Sequence, residues 1–505
     1  MNMNTDVDYE VVIIGTGFAG IGMAIKLQQA GIHSFKLIER GDEVGGTWRD
    51  NTYPGCECDV QSHLYSFSFE PKADWSKKYS SWNEIRDYII SVTDKHNIRK
   101  KIQFNTRLDG ASFDEASGTW QVKLSDGTKP RARFVITAVG PLSNPAIPEI
   151  SGKENFKGPI FHSATWDHSA DLKGKKIAVI GTGASSIQFV PRIAENAENV
   201  ELFQRSAPWI LPKPDRKIYG IEKALYKYLP GWRLAHRASL YWANEISLRG
   251  FLKEKSFIRT FAEWAATKHI HHHIKDEALR KKLTPDFRFG CKRALLSNEY
   301  YPALARENVD VIDAGIERIT ETGIIDKNGK AHDVDVIIWG TGFKVDEPLM
   351  GIDIAGIDGQ DLNAVWKDNG FESYYGTTVA GFPNAFILAG PNTGIGHTSL
   401  VVMIEAQYNY VMDAITKIQQ QDIKYIDVKE SVQTEFCQSM QDKMVGTAWT
   451  SGCNSWYLSA SGKNFTIWPD FTYNYIRQTK QINLMDYDVV SMSEDNVAAT
   501  ILVAS

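Results

Sequence analysis

A β-branched apolar run, a glycine-rich turn and a helical pattern succeed one another twice in this chain, and no other feature constrains its fold as strongly. The first copy starts with the run at residues 11–14 and continues into a helical pattern at 21–30; the second starts at 177–180 and continues into a helical pattern from residue 187. A buried parallel strand joined to a helix by such a turn is typical of a dinucleotide-binding unit. The two turns read Gly15-Thr16-Gly17-Phe18-Ala19-Gly20 and Gly181-Thr182-Gly183-Ala184-Ser185-Ser186.

The two units are predicted to belong to separate domains. The chain has 505 residues, more than one hydrophobic core normally serves. The copies also lie too far apart for the period of a solenoid. We therefore expect an α/β protein with two dinucleotide-binding, Rossmann-like domains of three layers each, together with a helical insertion.

Changes of pattern along the chain predict how these domains are divided. The first domain takes residues 1–145, the second takes 146–218, and the helical insertion, rich in Trp and Tyr, takes 219–290. Residues 291–344 return to the second domain, and 345–505 return to the first domain and form a C-terminal region.

An antiparallel meander is predicted inside the first domain. Residues 101–134 alternate apolar and polar side chains, as half-buried strands do. Turn signals within this stretch are Asp109-Gly110, Ser117-Gly118 and Asp126-Gly127.

The two units differ at the end of their second strand. In the first unit that strand ends at Glu39, at the offset where a carboxylate accepts hydrogen bonds from a ribose. In the second unit it ends in Gln204-Arg205, so a neutral and a cationic side chain replace the carboxylate. The first site therefore suits FAD or NAD, and the second favours a 2′-phosphate, as in NADP(H). Ser186 occupies the position of the third glycine in the second unit, so the helix there is expected to pack slightly farther from the strand.

Composition excludes several classes of partner. Lys and Arg number 56 against 61 Asp and Glu, a net charge of −5, so no overall attraction to nucleic acid or to anionic lipid is expected. No uncharged apolar run reaches the roughly 18 residues of a membrane span. Five cysteines, an odd number, and polar, acidic residues 1–10 predict a reduced, cytoplasmic protein. The oligomeric state stays open.

Two groups of potential metal ligands are interpreted as structural. Cys56 and Cys58 are one residue apart, not the two-residue spacing of redox disulfides or zinc knuckles, so buried structural thiols are predicted. The run from Lys268 to His273 contains four histidines but has no identifiable partner set. A solvated helix end, and no metal site, is predicted there.

Three further motifs resemble those of a known family. Residues 156–167 contain Phe156, Gly158, His162, Trp166 and Asp167, and this spacing resembles the fingerprint of the type I Baeyer–Villiger monooxygenases. Residues 45–59, which begin Gly45-Gly46-Thr47-Trp48 and end Cys58-Asp59, are similar to the family's other signature. Phe289-Gly290-Cys291-Lys292-Arg293 is similar to the stretch that carries its catalytic arginine.

The resemblance implies FAD on the first domain, NADPH on the second, and conversion of an apolar ketone and O2 into an ester or lactone. Carried over by position, the residues that would touch or flank FAD are Gly15, Gly17, Phe18, Ala19, Gly20, Glu39, Gly46, Thr47, Trp48, Asp59 and Tyr65. Those that would serve NADPH are Gly181, Thr182, Gly183, Ala184, Ser185, Ser186, Gln204, Arg205, Lys292 and Trp456. His162 would couple domain movement to cofactor handling.

The resemblance makes Arg293 the catalytic residue, and physical chemistry supports the assignment. The flavin-bound oxygen species that attacks a carbonyl is anionic, so it needs a fixed cation that does not donate a proton. Arginine stays protonated throughout the working pH range. An unpaired cation in a pocket is costly, which makes Asp59 its expected partner. Asp59 could instead cap the following helix.

Two other functions are compatible with parts of this pattern. A flavin monooxygenase that oxygenates the nitrogen of amines or the sulfur of thioethers uses a protonated, electrophilic species and does not need the arginine. A catalytically silent nucleotide sensor would keep both dinucleotide sites. Asp59 and Arg293 together favour the ketone-oxidising enzyme over both. The sequence does not separate cyclic, linear and aryl ketones.

Overall fold

The structure is a computed structural model, and it describes residues 7–253, 255–347, 349, 351–453, 455–459 and 461–492. The strands are β1 (Tyr9–Ile14), β2 (Phe35–Ile38), β3 (Ile102–Gln103), β4 (Leu108–Asp114), β5 (Thr119–Leu124), β6 (Arg131–Thr137), β7 (Ile160–His162), β8 (Lys176–Ile180), β9 (Asn199–Phe203), β10 (Ile210–Leu211), β11 (Leu295–Leu296), β12 (Val309–Ile312), β13 (Ile316–Ile319), β14 (Gly323–Asp326), β15 (Ala331–Asp333), β16 (Val336–Trp339), β17 (Asp353–Ala355), β18 (Ala385–Ile387), β19 (Ile423–Val428) and β20 (Tyr487–Ser491). The α-helices are α1 (Phe18–Gln29), α2 (Thr47–Asp50), α3 (Trp82–Lys95), α4 (Ser186–Ala194), α5 (Gly220–Tyr228), α6 (Trp232–Ser247), α7 (Phe257–His273), α8 (Glu277–Leu283), α9 (Tyr300–Leu304), α10 (Leu362–Asn369), α11 (Leu400–Gln420), α12 (Glu430–Met444) and α13 (Thr472–Gln478).

The first sheet is built around β1, which is covered on both faces. Its parallel part has the order β3-β2-β1-β6-β18, and β6 also pairs antiparallel with β5. Val11 and Ile13 pack into one apolar cluster, with α1, α3 and α11, while Val12 and Ile14 pack into another on the opposite face. This explains the unbroken β-branched run, because a strand buried on both faces has no polar side.

The second sheet is wholly parallel, with the order β12-β9-β8-β16-β7. Its central strand, β8, leads through the second glycine turn into α4. Two parallel sheets with helices on their faces confirm the predicted α/β fold with two Rossmann-like units. The finer five-segment division of the chain stays our proposal.

The predicted meander is present, but one of the three turns predicted for it is not a turn in the structure. β4, β5 and β6 run antiparallel, with turns at Ser117-Gly118 and Asp126-Gly127. Asp109-Gly110 instead lies inside β4, where the pairing with β5 shifts register. A Cβ on Gly110 would lie 2.9 Å from the carbonyl oxygen of Asp353, so the glycine allows β17 to approach rather than the chain to turn.

Residues 220–283 form the helices α5, α6, α7 and α8, in line with the predicted helical insertion. The four histidines occupy the last turn and a half of α7. His271 and His272 are exposed as expected, but His269 is buried, and its Nε2 lies 3.0 Å from the carbonyl oxygen of Ser297. Among the described residues, no helix has both the length and the apolar character that crossing a bilayer requires.

A disulfide joins Cys291 to Cys453, which differs from the reduced chain that we expected. The odd number of cysteines does not exclude a disulfide, because the other three thiols, those of Cys56, Cys58 and Cys437, are buried and free. Burial raises the pKa of Cys56 to about 12, so this thiol stays protonated and unreactive, in agreement with a structural role.

We predict that the disulfide stabilises the chain by about 2–4 kcal/mol, because it closes a long loop in the unfolded state. Non-reducing peptide mapping should recover a fragment containing Cys291 and Cys453. Without reductant, Cys453→Ser should unfold at a lower temperature than the wild type. Adding dithiothreitol should lower the unfolding temperature of the wild type to that of the variant and should leave the unfolding temperature of the variant unchanged. A wild type that is insensitive to dithiothreitol would contradict the prediction.

Candidate functional site

The first glycine turn forms a tight cradle at the N-terminus of α1. A Cβ on Gly20 would lie 2.0 Å from the carbonyl oxygen of Gly15, and Gly15 itself has φ +103°. Gly17, by contrast, leaves room for a Cβ, since the nearest atom, the Cα of Gly46, would be 3.7 Å away. Gly17 is the N-cap residue of α1, so no side chain of the N-cap accepts a hydrogen bond from the first N–H groups of the helix. The first turn of α1 also contains no acidic residue. Free N–H groups at a helix N-terminus behind a glycine turn fit a pyrophosphate.

Residues 45–59 begin against this cradle. Gly46 has φ +53°, and a Cβ there would lie 3.0 Å from the Cα of Gly17, so the two glycine segments touch through backbone. Thr47 and Trp48 come next, in α2. The Trp48 indole donates from Nε1 to the Tyr65 hydroxyl at 3.1 Å, and the Tyr65 ring packs 5.2 Å from that of Phe18.

Glu39 is buried, and both of its carboxylate oxygens accept hydrogen bonds. Thr16 donates to Oε2 from its backbone N and its hydroxyl, and the backbone N of Gly41 donates to Oε1. Arg49 donates to the same Oε1 at 2.6 Å. Burial alone would lower the pKa of Arg49, but Asp50 and Glu39 raise it above its ordinary value.

Our sequence analysis missed Arg49. It places a permanent cation beside the carboxylate that we assigned to a ribose. Its position ten residues beyond Glu39 gives no periodic signal by which it could have been found.

The later part of residues 45–59 packs against the second domain. The Tyr53 hydroxyl donates to Oε1 of Gln188 on α4 at 2.9 Å, and a Cβ on Gly55 would lie 2.6 Å from the Gln188 carbonyl oxygen. Lys213, which is buried, forms an ion pair with Glu57 at 2.6 Å. The segment therefore spans the distance between the two glycine turns.

The segment ends at Asp59, which pairs with Arg293. Nε and Nη2 of Arg293 both donate to Oδ2 of Asp59, at 2.9 and 2.7 Å, and Nη1 donates to the carbonyl oxygen of Ile395 at 3.3 Å. The two side chains are 29% and 30% exposed, so the pair is partly enclosed but solvent can reach it. The alternative role of Asp59 as a helix cap is not seen, since α3 begins far away at Trp82.

The surroundings fix the charge of this pair. Asp59 raises the pKa of Arg293 well above its ordinary value, more than burial lowers it. Burial raises the pKa of the neighbouring Tyr457 to about 12, so its hydroxyl is neutral at working pH. The guanidinium is therefore a permanent cation.

The second glycine turn keeps the first two glycines of the first turn and has Ser186 in place of the third. Gly181 has φ +107°, and a Cβ there would lie 2.4 Å from the carbonyl oxygen of Gly340, whereas Gly183 and Ala184 are exposed. The Ser186 side chain is fully buried against Gly340, where a Cβ would lie 2.0 Å from Ser186 Oγ. The space that Ser186 requires is thus provided by Gly340, which directly follows β16, the neighbour of β8 in the sheet. Thr182 and Ser185 complete the turn; Thr182 Oγ1 donates to the carbonyl oxygen of Ser206.

The side chains of Gln204, Arg205 and Lys292 lie near this turn. The first two follow β9 in the chain, and Lys292 contacts Ser206 in the same loop. Lys292 donates from Nζ to the Ser206 hydroxyl at 2.8 Å and lies over the ring of Phe287. Burial and the nearby Arg205 lower the pKa of Lys292, as expected where two cations share a site. Gln204 is buried and donates from Nε2 to the carbonyl oxygen of Lys282, so it holds the end of α8.

The two remaining predicted residues, Trp456 and His162, differ in their exposure. Trp456 is half exposed, with its ring 4.5 Å from that of Tyr457, beside Arg293. His162 is buried on β7, and its Nδ1 accepts from the backbone N of Ala164. Burial lowers the pKa of His162 to about 4, so the ring is neutral. It packs 5.8 Å from Phe343, where the chain leaves the second sheet.

The model of one protein family, described as flavin-binding monooxygenase-like, matches residues 8–364. A Baeyer–Villiger monooxygenase of Pseudomonas aeruginosa is 45% identical over 95% of this chain and 92% of its own length. One of Streptomyces coelicolor is 41% identical over 97% and 94%. The crystal structure of OTEMO in complex with FAD and NADP aligns with a TM-score of 0.86 at 28% identity, covering 96% of this chain and all of that one.

We predict that alanine at two glycines separates folding from ligand binding. Gly17→Ala should unfold at the same temperature as the wild type in the absence of ligand, because its Cβ would meet nothing closer than 3.7 Å, but it should lose bound flavin. Gly20→Ala should be misfolded, because its Cβ would lie 2.0 Å from a carbonyl oxygen. Circular dichroism and flavin absorbance measure the two properties. Full flavin content in Gly17→Ala would contradict the proposed cradle.

Proposed function

Because this chain belongs to the flavin-binding monooxygenase-like family, and within it to the type I Baeyer–Villiger monooxygenases, we propose that Arg293 and Asp59 form its catalytic pair. The enzyme contains FAD, depends on NADPH and O2, and converts ketones to esters or lactones. When bound and reduced by NADPH, FAD supplies the oxygen chemistry that no amino-acid side chain can carry out.

The residues around the first glycine turn are proposed to hold FAD. The room for a Cβ beside Gly17, the start of α1 without a side-chain cap and the close approach of Gly46 support a pyrophosphate there. Glu39 accepts four hydrogen bonds within the protein, so its contact with a ribose would exchange or share one of them. The full proposed set is Gly15, Gly17, Phe18, Ala19, Gly20, Glu39, Gly46, Thr47, Trp48, Asp59 and Tyr65.

The residues around the second glycine turn are proposed to hold NADPH. Lys292 and Arg205 supply positive charge where a 2′-phosphate would lie, and Trp456 is exposed enough to cover a nicotinamide. Gln204 contributes through α8, whose end it anchors. The full proposed set is Gly181, Thr182, Gly183, Ala184, Ser185, Ser186, Gln204, Arg205, Lys292 and Trp456.

Arg293 is proposed to stabilise the negative charge that develops on the reacting oxygen atoms. At about 4 Å and an effective dielectric constant near 20, one unit charge contributes on the order of 4 kcal/mol before desolvation is subtracted. That amounts to up to roughly a thousandfold in rate. The raised pKa of Arg293 means that it provides charge and hydrogen bonds without giving up a proton.

Asp59 is proposed to position the guanidinium. It binds through a single oxygen, Oδ2, on the Nε side, and the Ile395 carbonyl holds Nη1 on the other side. The plane of the guanidinium is thereby fixed before substrate arrives. Because Ile395 and Leu400 lie in the segment 394–400, the same contact brings aliphatic side chains toward the site, which suits an apolar ketone.

We predict that Arg293→Ala will still bind FAD and oxidise NADPH but will form no ester. Removing the cation should lower kcat/KM for ketone conversion by up to about a thousandfold, because only the oxygen-transfer step needs it. Product analysis by gas chromatography with a panel of linear, cyclic and aryl ketones and thioethers measures this. Arg318→Ala, which removes an exposed arginine on β13, serves as the control. An unimpaired ester yield in Arg293→Ala would remove this residue from the mechanism, and sulfoxides alone from the wild type would favour the amine- and thioether-oxidising alternative.

We also predict a strong preference for NADPH that depends on Arg205 and Lys292. A hydrogen bond to a charged group contributes about 1.5–3 kcal/mol, so losing either cation should raise KM for NADPH by roughly 10- to 100-fold. KM for NADH should change little, because NADH has no 2′-phosphate. Steady-state kinetics of Arg205→Ala and Lys292→Ala with both coenzymes measure the effect. Equal kinetics with NADH and NADPH in the wild type would contradict the proposal.

A further inference from the structure

Helix α6 has its apolar side toward solvent. Every exposed position on it holds a Trp, Leu, Ala, Ser or Ile side chain, and none holds a charged one. Trp242, for example, is 52% exposed. The exposed residues of α6 are Trp232, Leu234, Ala235, Ala238, Ser239, Trp242, Ala243 and Ile246. A helix that faces water normally shows the reverse pattern.

Polar contacts on the inner side hold α6 in this orientation. Arg237 donates from Nη1 to the carbonyl oxygen of His63 at 2.8 Å, and Asn244 donates to Gln61 at 3.2 Å. Glu245 is buried and accepts from the backbone N of Thr472 on α13. These bonds to the first domain leave no freedom for α6 to rotate its apolar side inward.

Helix α7 adds an aromatic stripe to the same region. Phe257, Phe261 and Trp264 are spaced by four and three residues, so they share one face, and Phe257 is 85% exposed. On the other side of the helix, Ala266 and Ile270 are buried. The stripe is therefore additional to the core-facing side of α7.

The exposed apolar side chains form one region of the fold. Thirteen of the twenty-one large apolar side chains that are exposed in the described residues lie between residues 219 and 264. Helix α5 packs on α6, and both α6 and α7 pack on the short turn of helix at Leu248–Gly250. The Trp242 ring lies 6.1 Å from that of Tyr473, which extends the region onto α13. A patch of this kind on a protein surface marks an interaction site.

The local charge identifies the partner. Residues 216–268 contain eleven Lys and Arg against four Asp and Glu, whereas the whole chain has more acids than bases. Lys227, Arg249, Lys253 and Lys255 are exposed beside the aromatic side chains. Cations around exposed Trp, Phe and Leu suit the boundary between anionic headgroups and acyl chains. A second copy of the chain would instead bring two positive surfaces together.

We propose that the outward apolar side of α6 and α7, with its surrounding cations, docks onto the surface of an anionic phospholipid membrane. The helices lie in the interface, with the aromatic side chains among the headgroups and the cations against phosphate. The proposal does not depend on the reaction that the enzyme catalyses.

Flotation of the FAD-loaded, full-length protein with vesicles tests the proposal. The protein should float with vesicles of mixed phosphatidylcholine and phosphatidylglycerol and remain behind with phosphatidylcholine alone. Raising the salt concentration from about 0.05 M to about 0.5 M should release most of it, because screening weakens the attraction. Acyl-brominated lipid should quench tryptophan emission of the wild type. Absence of flotation, or flotation without quenching, would overturn the proposal.

Two pairs of variants locate the binding surface. Phe257→Glu with Trp264→Glu, and Lys253→Glu with Lys255→Glu, should each reduce the bound fraction at least about tenfold. The matched controls are Met485→Glu, at an 81% exposed apolar position outside the region, and Lys327→Glu with Lys330→Glu, on the exposed turn between β14 and β15; both should bind as the wild type does. Unfolding temperature and retained flavin absorbance report whether each variant is folded.

Light scattering after size-exclusion chromatography distinguishes the other occupant. One outcome is a wild type that is a dimer and does not bind vesicles, while Phe257→Glu with Trp264→Glu is a monomer. That result would identify a second copy as the partner and overturn the proposal. Wild-type affinity for anionic vesicles in both variant pairs would also overturn it.

Discussion

The ion pair between Arg293 and Asp59 is the contact on which the arrangement of the site depends. The two charges come from segments 234 residues apart, one in each nucleotide-binding unit. Removing one partner of a largely enclosed pair leaves an uncompensated charge, which costs several kcal/mol. The pair therefore positions the guanidinium and also penalises any arrangement in which the two units separate without another anion to replace Asp59.

Residues 45–59 explain how this pair is built. The segment starts with Gly46 against Gly17, passes Gln188 at the start of α4, is held by Lys213 through Glu57, and ends at Asp59. One short stretch thus touches the first glycine turn, helix α4 and Arg293. This geometry gives a physical reason why a sequence signature should occur here: side chains and glycines at fixed intervals must meet several parts of the fold at once.

How much could be predicted from the sequence depended on the range of the interaction. Strand–turn–helix units are local, so β1, α1, β8 and α4 were found within a few residues, and the strand ends gave Glu39 and Arg205. Contacts between residues far apart in the sequence could not be predicted: Gly340 makes room for Ser186, Arg49 neutralises Glu39, and Cys453 pairs with Cys291 across 162 residues.

The predicted turn at Gly110 was wrong because a glycine that admits a neighbouring strand has the same local signature as a turn glycine. The charge of the whole chain likewise concealed the opposite charge of residues 216–268, since a sum carries no information on position.

Three consecutive residues connect the parts of the molecule that the reaction must coordinate. Cys291 is tied to Cys453, three residues before Trp456; Lys292 donates to Ser206 after β9; Arg293 pairs with Asp59 in the first domain. Residues 291 and 292 lie in a bend of the chain, and the three neighbouring side chains reach the C-terminal region, the second domain and the first domain together. The disulfide is covalent, whereas the hydrogen bond of Lys292 and the ion pair of Arg293 can break and re-form. The tripeptide therefore joins the three parts through one permanent contact and two reversible ones.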